Sequence, residues 1–281
     1  MYNILTLHEL IFMETYTLSK IPSCKPIIIP IKVKDRRFDQ TSIDADTKTL
    51  KNTFKQLGFD QPEVFNQDSD RDTILTQLLK ISEKSEFTVD RDFLLCVIIS
   101  YCSHMNGCFH DVNGDDISVD EVIHIFNTEN CIGLRGKPKI FILQTDDLSI
   151  SLKDPSLFGK GSEEETRLPT QADSLIYHCS IPGFIEKLAW SDSVKQENKW
   201  NTAQGSKFIH TFCNEIRKER GTDIHQLTFK VNSAMKEYVD DINSRKPQDK
   251  EELSKHLELP ICTSQLLRKF TLCQRQKETE V

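Results

Sequence analysis

Gly136-Lys137-Pro138-Lys139-Ile140-Phe141-Ile142-Leu143-Gln144, continued by Thr145-Asp146-Asp147-Leu148, is the stretch that decides the fold. Gly136-Lys137-Pro138 reads as a turn, and Ile140–Leu143 is a short apolar run without alternation, as in a strand covered on both faces. Phe93–Ser100 (FLLCVIIS) has the same character, and Pro26–Val33 (PIIIPIKV) is a third short β-branched segment. Helical patterns separate these runs. Asp44–Leu57 carries Leu50, Phe54 and Leu57 at helical spacing and stops at Gly58; Ile74, Leu75, Leu78, Leu79 and Ile81 suggest a second helix, and Val119–Phe126 a third. Strands alternating with amphipathic helices predict a largely parallel sheet with helices on both faces.

Beyond this block, Asp146–Gln171 carries Asp154-Pro155, Gly159, Gly161 and Glu163-Glu164-Glu165, and reads as an exposed acidic linker. Asp173–Ser180 resumes as a strand. Ser206–Arg217 is an amphipathic helix through Phe208, Ile209, Phe212, Cys213 and Ile216, and Leu227–Met235 and Ile261–Phe270 complete a second block. The expected organisation is one domain: a short extension (1–25), a first block (26–145), the linker (146–170), a second block (171–273) and a tail (274–281).

The 281 residues carry 36 Lys+Arg against 43 Asp+Glu, a formal net charge of -7, which argues against nucleic acid as a partner because phosphate binding needs a basic footprint. The nine cysteines, at 24, 96, 102, 108, 131, 179, 213, 262 and 273, are irregularly spaced and several lie in apolar runs, so free thiols in a reduced, cytoplasmic setting are expected. No run of 18 apolar residues suggests a membrane span, and the start MYNILTLHELIF, with Glu9 and no basic opening, is a poor signal peptide. Met13 offers a second start, which would make residues 1–12 dispensable.

GKPKIFILQ resembles the segment that leads into the catalytic cysteine of caspases (peptidase family C14), and further matches follow in order. Asp44-Ala45-Asp46 with Leu50, Phe54, Leu57, Gly58 and Phe59 is similar to the family's first helix, and LLCVIIS to the strand before its catalytic histidine. Gln171-Ala172-Asp173, Ile181-Pro182-Gly183-Phe184 and Gly205-Ser206-Lys207-Phe208-Ile209 resemble the opening of the small subunit. Leu259-Pro260-Ile261-Cys262 through Lys269-Phe270 resembles its last strand, and the likeness covers about Pro26 to Leu272. It implies an α/β fold, the caspase-like three-layer α/β/α sandwich with a central, mostly parallel six-stranded sheet. The plan resembles that of effector-type members, and no long prodomain is expected.

The family's chemistry needs a cysteine thiolate, a histidine to manage the proton and backbone N–H groups to hold the oxyanion. Its Q-A-C-[RQG]-G signature falls here on Gln144-Thr145-Asp146-Asp147-Leu148, so Asp146 stands at the nucleophile position, and no cysteine lies between Cys131 and Cys179. A carboxylate is a far poorer nucleophile toward an amide. Counting forward from the strand puts Tyr101 at the histidine position; counting back from Asn113-Gly114 puts His104 there, with Met105 in place of a glycine. The family grips the substrate's aspartate with two arginines and a glutamine. Gln144 remains, while Gln40 and Leu188 occupy the arginine positions, Arg36 and Arg37 lying a few residues from the first. Pro155 after Asp154 would impede cleavage in the linker, and the chain between Gly183 and Gly205 is longer than the compact family loop.

Other motifs have plainer readings. Cys102, His104, Cys108 and His110 match no common zinc module and are taken as loop residues, so neither a metal nor another cofactor is expected. Asp111-Val112-Asn113-Gly114-Asp115-Asp116 starts like a calcium loop but lacks its glycine and glutamate, leaving a turn at Asn113-Gly114. Trp190 and Trp200 are read as anchors of a surface loop, and Arg268, Lys269, Arg275 and Lys277 as a solvated tail.

Together these features predict a catalytically inactive, caspase-like homologue, insect decoy caspases being one such class, that regulates apoptosis or an active caspase by dimerising with it. The resemblance places the dimer interface on Ile261, Cys262, Thr263, Ser264, Gln265, Leu266 and Leu267. The partner would be an active paralogue or a second copy of the chain, with no nucleic acid or membrane involved. Two alternatives stand beside this: a weakly active or unconventional peptidase of the same family, and a homodimeric binding module with no caspase partner.

Overall fold

The computed structural model describes residues 14–19, 22–34, 41–102, 107–147, 172–181, 204–244 and 257–273. Strands β1 (Ile27–Pro30), β2 (Glu63–Val64), β3 (Leu94–Cys102), β6 (Lys139–Asp147), β7 (Ser174–Cys179) and β8 (Ile261–Ser264) form one sheet in the order β2-β1-β3-β6-β7-β8. Every pairing in it is parallel except the last, where β8 runs against β7. A hairpin of β4 (Cys108–His110) and β5 (Asp116–Ser118) stands apart. The helices are α1 (Thr41–Leu57), α2 (Arg71–Ser82), α3 (Val119–Ile125), α4 (Lys207–Lys218) and α5 (Ile224–Ser244).

The unbroken apolar runs become the middle of the sheet because both their faces are covered. On β3, Leu95, Val97, Ile99 and Tyr101 join one core with Phe54 of α1, Phe212 of α4 and Val231 of α5. The alternate residues Leu94, Cys96 and Ile98 join a second core with Ile74 and Leu78 of α2 and Val122 of α3. Two cores on opposite faces of a period-2 strand make the expected three layers. In α2, Leu79 faces solvent, and Asp70 caps the helix by accepting from the Thr73 N–H at 2.9 Å. The turn expected at Asn113-Gly114 joins β4 to β5, held by the Asp111 carboxylate, which accepts from the N–H groups of Asn113 (2.7 Å) and Asp115 (2.9 Å).

The final strand is shorter than the sequence suggested. Instead of Ile261–Lys269 it is Ile261–Ser264, so Gln265, Leu266 and Leu267 lie beyond it. Gln265 still exchanges backbone bonds with Asp173 (3.0 Å) and Ser174 (2.8 Å). Then Ser264 Oγ accepts the Leu266 N–H and the Tyr16 hydroxyl accepts the Leu267 N–H, so the chain leaves the sheet. Tyr16 belongs to a segment that pairs beside Lys269, with its ring edge-on to Phe270 and its hydroxyl donating to Asp173 Oδ1 at 2.6 Å. Asp173 has φ 63°, a left-handed conformation that Asp tolerates better than most residues, and this tie helps hold it there. The linker was expected at 146–170, but Asp146 and Asp147 continue β6; its remaining residues 148–170, the tail (274–281) and the two tryptophans fall outside the described residues.

Candidate functional site

Open parallel sheets place their sites at the carboxyl ends of the strands. Here β3 and β6 run on together, with Tyr101 opposite Asp146 and Cys102 opposite Asp147, while β7 ends with Cys179 opposite Gln144. On β6 the side chains of residues 140 and 142 face the core shared with α1 and α4, and by the strand's alternation Gln144 and Asp146 point to that side as well. The amide of Gln144 donates from Nε2 to Asp146 Oδ1 at 2.7 Å and to the Ile181 carbonyl at 2.8 Å; its Oε1 is buried without a hydrogen-bond partner.

A second carboxylate arrives from α1. Asp46 sits on the helix's apolar stripe, one turn from Ile43 and from Leu50, and is buried. Its Oδ1 accepts the backbone N–H of Ser206 at 2.8 Å, just ahead of α4, and its Oδ2 has no partner. Gly205 (φ +94°) lets the chain pass this carboxylate: a Cβ there would lie 2.1 Å from Asp46 Oδ1. Burial raises the Asp46 pKa well above the ordinary carboxylate value; the Ser206 contacts oppose this, and the charge of Asp146 adds to it. Burial also pushes up the Tyr101 hydroxyl, with Asp146 reinforcing it.

Thiols near and far from this end of the sheet are poor nucleophiles in their ground state. Burial raises Cys179, and Asp146 and Asp46 raise it further. Burial likewise holds Cys96 and Cys213 at about 12 and Cys108 at about 11, and raises Cys24, Cys131, Cys262 and Cys273. A catalytic thiolate requires the opposite shift. All nine cysteines are free thiols, seven of them buried.

Of the residues singled out from sequence, Gln144, Asp146 and Tyr101 come together at the ends of β6 and β3. His104, Gln40, Leu188, Arg36 and Arg37 lie outside the described residues. Ile261–Ser264 form the outer strand of the sheet among the described residues, with Ile261 42% and, past the strand, Leu267 68% exposed. Among the described residues, no three His, Cys, Asp or Glu side chains are grouped to hold a metal ion, and no helix is long and apolar enough to cross a membrane. Sequence reasoning passed over the clasp between Asp46 and Ser206. Its one signal was a carboxylate on an otherwise apolar helical stripe.

Comparison with known proteins agrees with this fold. A family model described as Caspase domain matches residues 28–271. Caspase-3 of Xenopus laevis is 30% identical over 183 residues, covering 62% of this chain and 56% of that protein. Caspase-8 of Mus musculus is 24% identical over 244 residues, 82% of this chain and 46% of its own length. Caspase-1 of Spodoptera frugiperda is 26% identical over 242 residues, covering 84% and 73%. The chain thus spans about half the length of the first two of these relatives. The solved structure of pro-sf-caspase-1 superposes with a TM-score of 0.66 at 22% identity, over 92% of this chain and 97% of that one, a likeness of fold.

Proposed function

The chain belongs to the caspase family, and from that premise we propose that it is a non-catalytic member that regulates an active caspase by pairing with it. The carrying observation is Asp146. A carboxylate stands where the family signature puts its cysteine, and it is buried and hydrogen-bonded to Gln144, the residue expected to line the substrate pocket. Attack by a carboxylate on a peptide would give an anhydride, and the carboxylates of Asp146 and Asp147 at this end of the sheet oppose entry of a substrate aspartate. The raised thiol pKa values are consistent with this reading, because none of those groups is poised as a thiolate.

The outer strand β8 supplies the surface for pairing. Among the described residues no strand pairs with its outer edge, and edges of this kind accept a strand from another chain. In such a pair the non-catalytic chain acts by ordering or misordering its partner's loops, so activation and inhibition are two signs of one coupling.

The test is co-expression with an active caspase from the same source. A heterodimer with altered turnover of an aspartyl peptide supports the reading; no heterodimer and unchanged turnover overturn it. Turnover by the purified chain alone would overturn the non-catalytic part separately. Asp146→Cys by itself leaves the chain far below normal family activity, because Gln40 and Leu188 still stand in place of the pocket arginines. Full recovery from that one change would show that the pocket had been misread.

A further inference from the structure

Helices α1 and α4 lie side by side and run in the same direction. Asp46 meets Ser206 at one end, and at the other the guanidinium of Arg220 donates to the Gln56 carbonyl at 2.7 Å. Away from the sheet, the groove between them opens into a cavity of about 620 Å³ lined by Thr49, Asn52, Lys55 and Gln56 of α1 and His210 and Arg217 of α4. Its volume is that of a small-molecule site. Among the described residues no carboxylate lines it, although acidic residues outnumber basic ones in the chain as a whole.

Among the described residues the cations in this cavity, Lys55 and Arg217, have no counterion. Arg217 bonds only neutral groups: Thr53 Oγ1 at 3.3 Å, Gln56 Oε1 at 3.4 Å and Asn214 Oδ1. Among the described residues neither Arg217 nor Lys55 forms an ion pair, whereas the neighbouring Lys218 and Lys230 are paired with Glu215 and Glu219. Burial lowers the His210 pKa, and Lys207 and Arg217 lower it further, as a locally positive field would.

Compensation of the helix dipoles does not account for this arrangement. Two helix C-termini supply about one negative charge in total, and Arg220 already serves the end of α1. Lys55 and Arg217 remain in excess beside two amides and a hydroxyl that can donate or accept.

We infer that this cavity binds a small phosphate-bearing anion, which Lys55 and Arg217 hold electrostatically while Thr49, Asn52 and His210 complete its hydrogen bonds. Because α1 belongs to the first block and α4 to the second, the bound anion fastens the two blocks to each other. The site is separate from Asp146 and independent of whether the chain pairs with a caspase.

The experiment is calorimetric titration of the full chain with inorganic tripolyphosphate at about 50 mM salt, where surface screening is modest. Saturable binding tighter than about 1 mM is expected. Lys55→Glu weakens it at least about tenfold, because a charge-assisted contact becomes a repulsion. Lys80→Glu, the same change on exposed α2 across the sheet, leaves it within about twofold. Lys55→Arg retains binding, and tripolyphosphate raises the thermal midpoint of the parent chain but not of Lys55→Glu. Absence of saturable binding, or equal loss from Lys55→Glu and Lys80→Glu, overturns the proposal.

Discussion

Replacing Gly205 with alanine tests how the two blocks are clasped. Its φ of +94° is costly for any residue with a Cβ, about 1–2 kcal/mol. The new methyl would also meet Asp46 Oδ1 at 2.1 Å and the Asp46 backbone nitrogen at 3.2 Å. The carboxylate must move, which breaks its 2.8 Å bond to the Ser206 N–H and leaves a buried donor unpaired at about 1–3 kcal/mol. The expected loss is therefore about 2–5 kcal/mol, a large share of the stability of an ordinary domain. Gly58 supplies the control: its φ is +84° but a Cβ there meets nothing within 4 Å, so Gly58→Ala costs only the backbone term of about 1–2 kcal/mol. Urea unfolding with matched m-values gives both numbers. In an Asp46→Ala background the extra cost of Gly205→Ala falls toward that of Gly58→Ala, because the oxygen it strikes is gone. Equal losses from the two glycine changes, or strict additivity in the double variant, would refute the reasoning.

Asp46→Asn changes how stability depends on pH. The folded-state pKa of Asp46 is raised, so its contribution is fully present below the unfolded value near 3.8 and is lost as pH rises through the folded value; the Asn variant shows a flatter stability profile above pH 3.8 in denaturant titrations across pH. Tyr16→Phe removes a hydroxyl that bonds Asp173 and the Leu267 N–H, and is expected to lower unfolding free energy by about 1–3 kcal/mol in the same assay. In the native chain a colorimetric disulfide reagent titrates Cys108 and Cys262 well before the seven buried thiols, which react at rates set by opening of the fold; rapid reaction of all nine would contradict the burial described.

Much of the architecture was readable because burial writes itself into composition. FLLCVIIS and KIFIL lack alternation, and β3 and β6 are covered on both faces. The stripe Leu50, Phe54, Leu57 and the stop at Gly58 located α1, with three further residues before Asp44. The length of β8 was not readable, because what ends it is the Ser264 hydroxyl together with Tyr16, a residue about 250 positions away in sequence. The Asp46 clasp stayed hidden for a related reason. Its carboxylate looks like a solvated residue until Ser206, 160 positions on, is brought to it. Gln144 and Asp146 were singled out through the family resemblance, whereas the amide of one donating to the carboxylate of the other depends on side-chain direction in the folded strand.

The pairing of Thr15 with Lys269 joins the beginning and end of the described chain at one place on the molecule. Lys269 donates its N–H to the Glu14 carbonyl at 3.0 Å and Tyr16 donates its N–H to the Lys269 carbonyl at 3.1 Å, so the described chain comes back on itself. Such a chain can be opened elsewhere. A circular permutant with Cys273 joined to Glu14 by a glycine-serine link, so that Phe270 and Leu272 stay in the core, and with new ends between residues 154 and 165, should fold to the same sheet order, since none of the described strands and helices is cut.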